Sequence, residues 1–289
     1  MTLQKVIVAS LLIVLSAGAC GTPAGSSGGN DEFVVETMVA ATMQALTQSA
    51  VAPVNGRLIE HENVRFTLPL DIAESALGGI VPGTIGNESY PWWEIAPEHV
   101  KILLDRYRVP ADFLESEILV FPAAEYAAAN EGVATNLQIL SAIRANGAAP
   151  DTVMPSVPFF NAAEVFASQK LALQFEGGTG VRAVTEYAQF AANINNQDIF
   201  YLFEGLTQSG AYYIVAIFHV RAPILPENGN PDAFLPEGGL PFPGYDDPAA
   251  LDEYYAAVTE RLNALTPEQF QPSLATLDQL IESLVISEN

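Results

Sequence analysis

KLALQFEGGTGVRAVTEYAQFAANINNQDIFYLFEGLTQSGAYYIVAIFHVRAP, residues 170–223, is the stretch that decides the fold. Four strand-like runs lie in it: Lys170–Glu176, Gly180–Ala191, Asp198–Leu206 and Ala211–Arg221. They are separated by Gly177-Gly178-Thr179-Gly180, Asn193–Asn196 and Gln208-Ser209-Gly210. Breaks this short suit hairpins, so the economical arrangement is an antiparallel meander. Ile214–Val220 is nearly all apolar, which predicts a central strand covered on both faces. Gly177–Gly180 has the look of a phosphate loop. It joins two strands, however, and neither a helix N-terminus nor a Lys-Ser/Thr pair follows it, so it reads as a turn.

Helical patterns flank this core. Ala123–Asn146 places Tyr126, Val133, Leu137, Leu140 and Ile143 on one stripe, with Gly147 fit to follow the C-cap and Gly132 as the expected weak point. Downstream, Pro223–Pro248 is an acidic loop rich in glycine and proline. A helix over 248–265 follows, with Asp247 as its cap and Leu251, Tyr254, Tyr255, Val258, Leu262 and Leu265 on its apolar side. Thr266-Pro267-Glu268-Gln269 predicts the start of a second helix over 267–286, burying Phe270, Leu274, Leu277, Leu280 and Leu284. Upstream, Leu58–Leu70 reads as one extended segment and Asp71–Leu77 as a short helical turn. Gly78–Pro97 reads as a long loop, His99–Arg108 as a strand and Ser116–Phe121 as a buried strand. The expected class is α+β: an antiparallel meander flanked by helices, sandwich-like in α/β/α layers, closed by a C-terminal helical pair. The globular domain is expected over 57–289.

The N-terminal segment is of another kind. Lys5 precedes the apolar run Val6–Leu15, and Ser16-Ala17-Gly18-Ala19 leads to Cys20, the only cysteine. A charged start, a short apolar run and small residues predict a signal peptide over 1–19. The run is far shorter than the ~20 residues of a membrane span. Small residues directly before a lone cysteine resemble the bacterial lipobox, which implies lipidation of Cys20. The expected location is the cell envelope, anchored on the outer side of the cytoplasmic membrane or in an outer membrane. Residues 20–56 are expected to be tether, with a marginal helix in Phe33–Gln48 that packs on the domain or forms a stalk. A single cysteine excludes an internal disulfide. The formal net charge of −23 argues against nucleic acid as a partner.

Candidates for chemistry are few. The three histidines, His61, His99 and His219, lack the spacing of a zinc site, and His219 reads as a histidine of the core or sheet edge. No nucleophile elbow, dinucleotide fingerprint or Walker pattern occurs, so no catalytic residue and no cofactor is expected. Glu186 and Glu204 lie on neighbouring predicted strands. They read as solvent-facing, or as an acid–base pair if both face one pocket. Asn228, Asn230 and Asp232, with Asp246 and Asp247 downstream, cluster oxygens as calcium sites do, but Pro231 interrupts them and no bidentate Glu follows; no metal is expected. The aromatic loop Tyr90, Trp92, Trp93 holds both tryptophans and reads as a plug over the core or as a ligand platform. Asn195 and Asn196, in a second polar loop, are candidates to bind the same ligand or merely to build turns.

Gly180-Val181-Arg182, Glu186-Tyr187-Ala188-Gln189, Ile194-Asn195-Asn196-Gln197, Phe200-Tyr201, Gly205-Leu206-Thr207 and Pro223 resemble a pattern shared by uncharacterised lipoproteins of Chloroflexi-like and cyanobacterial origin. Phe121-Pro122, Glu125-Tyr126 and Phe159-Phe160-Asn161-Ala162-Ala163 resemble the same group. That resemblance implies no known activity. More distantly, the strands and flanking helices resemble the PsbP and Mog1 arrangement, which implies fold alone. The sequence thus predicts a lipid-anchored protein that binds a small molecule or an envelope protein. The alternatives are a hydrolase using carboxylates and an assembly factor of an envelope complex.

Overall fold

A computed structural model describes residues 55–87, 89–109, 114–148 and 151–288. The expected signal peptide, Cys20 and the segment 33–48 lie outside the described residues.

The decisive stretch folds as its pattern demands. Strands β6 (Ala163–Phe175), β7 (Gly178–Ala188), β8 (Phe200–Thr207) and β9 (Tyr212–His219) pair in sequence order, each antiparallel to the next. Gly177, at φ 82°, turns the β6–β7 hairpin in the left-handed region that glycine enters at no steric cost. Gly180 is needed for close approach, since a Cβ there would collide with the Phe203 ring and the Glu204 carbonyl. β5 (Glu117–Pro122) then pairs with β9 and leads outward to β4 (His99–Asp105) and β3 (Ser75–Val81). The result is a seven-stranded sheet in the order β3-β4-β5-β9-β8-β7-β6, with apolar β9 at its centre.

Both faces of the sheet are covered. On one, α1 (Ala123–Ala129) and α2 (Glu131–Asn146) pack on Leu119, Val181, Ala183, Leu202 and Val215. On the other, α3 (Pro248–Ala264) and α4 (Leu274–Glu282) cover Val184, Tyr201, Phe203, Ile214 and Phe218. A small sheet completes that second layer: β1 (Gly56–His61) and β2 (Val64–Pro69) form a hairpin, and β10 (Val285–Ile286) joins β2. The class is therefore α+β with helices on either side of an antiparallel sheet, as the sequence predicts. The described residues fall in one compact unit. Among them, no helix is long and apolar enough to cross a membrane.

Four elements differ from their expected form. The helix expected over Ala123–Asn146 is two helices, broken at Asn130 rather than Gly132. Asn130 is extended, and its Oδ1 accepts from Gly132 N at 2.9 Å and Val133 N at 3.3 Å, so it caps α2. The second C-terminal helix does not run through 267–286. Pro272 has no N–H to give a helix interior, so Pro267–Gln269 forms one 3-10 turn and α4 starts afresh at Leu274. All five residues expected to be buried there are buried. Leu58–Leu70 is a hairpin, with Glu62 at φ 50° in its turn. The turn expected at Asp71–Leu77 and the start of the loop at Gly78 belong instead to edge strand β3.

Buried polar contacts lock the outer layer. Arg182, 3 % exposed, points from β7 to Asp278 of α4, with Nε to Oδ1 at 3.2 Å and Nη2 to Oδ2 at 3.3 Å. The Tyr201 hydroxyl donates to the same Oδ1 at 2.9 Å. Ser287 N donates to Asn63 O at 2.8 Å and Thr67 N to Ser283 Oγ at 2.9 Å, so the segment around β10 is stitched to the first hairpin.

Candidate binding cleft

Trp93 sits in a single 3-10 turn, Trp92–Glu94, beyond the end of β3. Thr84 fixes that turn: its hydroxyl donates to Glu94 O at 2.6 Å and accepts from Ala96 N at 2.9 Å. Trp93 packs edge-on to Trp92, ring centres 5.5 Å apart, and only Trp93 is drawn inward. Trp92 is 60 % exposed.

Two hollows meet at Trp93 and Phe159, which line both. The first, about 410 Å³, is lined by the aromatic residues Trp93, Phe159, Phe160, Tyr187 and Phe200 and by the polar residues Asn161, Gln189, Gln197, Asp198 and His219. Its size is that of a small-molecule site. Its rings support one another: Phe160 stands edge-on to Phe159 and Tyr187 at 5.3 Å and to Phe200 at 6.0 Å. The Phe159–Phe160 segment is held by Val157 N donating to the Tyr187 hydroxyl at 3.3 Å and by Gln189 Nε2 donating to Asn161 O at 2.7 Å. The second hollow, about 390 Å³, takes in Tyr90, His99, Lys101, Glu117 and Tyr126. There Lys101 Nζ lies 2.9 Å from Glu115 and 2.5 Å from Glu117. Burial holds the His99 imidazole below its usual pKa, against the effect of its hydrogen bond to Pro97 O.

The candidate residues of the sequence are thus divided. Tyr90 and Trp93 share the second hollow, and Trp93 alone reaches the first. Trp92 lines neither. Asn195 and Asn196 are buried, and their amides serve the scaffold. Asn195 Nδ2 donates to Asn193 O at 2.9 Å and to Asp198 Oδ2 at 2.7 Å. Asn196 accepts from Ala222 N at 2.7 Å and donates to Leu225 O at 3.1 Å. Their loop reaches the first hollow through Gln197 and Asp198, the next two residues. His219 ends the central strand on the wall of that hollow, a place its apolar sequence neighbours gave no reason to expect.

The carboxylate pair is overturned. Glu204 shares the face of Leu202 and Leu206, beneath α2; Glu186 shares the opposite face with Val184, beside Tyr254 and Tyr255 of α3. They cannot reach one cavity. Nor do they face solvent: they are 2 % and 0 % exposed for Glu186 and Glu204 respectively. Burial pushes each acid up to about 8, aided at Glu186 by the charge of Asp198. Glu204 Oε2 accepts from the Tyr213 hydroxyl and from Asn136 Nδ2. In the acidic loop, Asn228 Oδ1 accepts from Asn230 N and Asn230 Oδ1 from Asp232 N, so two of the oxygens weighed for calcium build turns. Among the described residues no three of His, Cys, Asp and Glu group as metal ligands would.

Comparison with protein-family models, with curated proteins and with solved structures returns no match to this chain.

Proposed function

We propose that this chain is a lipid-anchored, extracytoplasmic binding protein whose ligand is a small, largely apolar molecule held beside Trp93. The observation that carries this reading is the first hollow, lined by five aromatic side chains and a smaller set of polar groups. Such a site gives affinity through apolar contact and orientation through a few hydrogen bonds. The Cys20 anchor would keep it at the membrane surface.

Two measurements test the proposal. N-phenyl-1-naphthylamine, neutral and apolar, should brighten on binding. Trp93→Ala and Phe160→Ala should weaken that binding by about tenfold each, the scale of losing a buried aromatic contact, whereas Trp92→Ala should leave it unchanged. Equal effects of Trp92→Ala and Trp93→Ala would place binding on the exposed loop instead, as the assembly reading expects. Mass spectrometry of the protein from membranes should find an acylated Cys20 at the mature N-terminus, and an unmodified thiol there would remove the anchor.

A further inference from the structure

Building on the proposal that this hollow is the ligand site, we infer that its ligand is an organic cation, an alkyl- or arylammonium group seated against the aromatic walls with its charge towards Asp198. Four observations converge on that class.

The rings come first. Phe160 stands edge-on to both Tyr187 and Phe200, and Trp93 and Phe159 also line the cleft. Aromatic faces carry the negative lobe of the ring quadrupole, so a cavity walled by them favours a weakly hydrated positive charge over a negative one. Second, Asp198 is the one acidic residue among the described residues lining the hollow, and no lysine or arginine among them opposes it. An anionic ligand would meet an unneutralised carboxylate. Third, Asp198 is held in place. Its Oδ2 accepts from Asn195 Nδ2, and Asn195 Oδ1 accepts from Gln197 N at 2.9 Å, so the loop presents the carboxylate without paying to order it. Fourth, the chain as a whole carries a formal net charge of −23. That field concentrates cations at the surface and repels anions.

The test uses the Trp92→Phe protein, in which Trp93 is the sole tryptophan and reports on the cleft. Benzyltrimethylammonium is titrated against Trp93 fluorescence, beside its uncharged carbon isostere neopentylbenzene. The expected result is that the cation binds about tenfold more tightly than the isostere, and that Asp198→Asn removes this preference while leaving the isostere's affinity unchanged. The unchanged isostere is the control that the variant is folded, and the comparison in the unaltered cleft stands without the variant. Equal or tighter binding of the isostere overturns the inference and leaves the cleft reading intact. A preference that survives Asp198→Asn overturns the role of the carboxylate. Failure of both compounds to perturb Trp93 overturns the cleft itself as a ligand site.

Discussion

Glu204 shows what one buried acid does to the behaviour of this protein. Its folded pKa is raised to about 8, above the ordinary carboxylate value of an unfolded chain. The folded state therefore binds the proton more tightly, and the stability this confers is complete below about pH 4.5. It is lost as pH rises towards 8, at roughly 1.4 kcal/mol per pH unit for one group. Glu186 shifts the same way, so the two slopes add. Thermal denaturation followed by circular dichroism should show a melting temperature that falls steadily between pH 5 and pH 8. Glu204→Gln keeps an oxygen to accept from Tyr213 and Asn136 but never ionises. It should make that slope shallower, and a slope identical to the wild type would refute the assignment.

At the scale of elements, α4 depends on Arg182. Removing Asp278 leaves a guanidinium that is 3 % exposed without its carboxylate, a change that typically costs about 3–5 kcal/mol. Asp278→Ala should lower the urea midpoint sharply, and the double variant Arg182→Met/Asp278→Ala should recover most of the loss. The cap of α2 is a smaller matter. Asn130→Ala should cost about 1 kcal/mol in the same assay, because Gly132 N and Val133 N lose their acceptor. These elements also show what could be read beforehand. The meander was legible because glycine and asparagine turns interrupt apolar runs at hairpin spacing. Leu274, Leu277 and Leu280 were legible because helical periodicity does not depend on where the helix begins. Edge strand β3 was not, since Gly78 and Gly79 erase the alternation that marks a strand. The cleft was half legible. Trp93 stands out by type, but Phe159, Phe160 and Asp198 meet it only through the pairing of distant strands, which no local pattern encodes. Arg182 escaped notice because a charged residue on a strand reads as solvent-facing until the helix that covers it is placed.

Over the whole molecule, acidic residues outnumber basic ones, 34 to 11. Like charges spread over one surface repel, and that repulsion is relieved on unfolding. Salt between about 10 mM and 200 mM shortens the Debye length from roughly 30 Å to less than 10 Å. The melting temperature at pH 7 should therefore rise across that range in a non-denaturing salt such as sodium chloride. A fall would mean that favourable ion pairs outweigh the repulsion.

The stitching of Thr67 to Ser283, 216 positions apart, reaches beyond stability into timing. Phe66 and Leu68 are synthesised long before the helix that covers them. Until then the first hairpin has no roof, and its sheet no third strand. The apolar face of that hairpin is therefore closed only by a segment lying beyond the whole seven-stranded sheet in the chain.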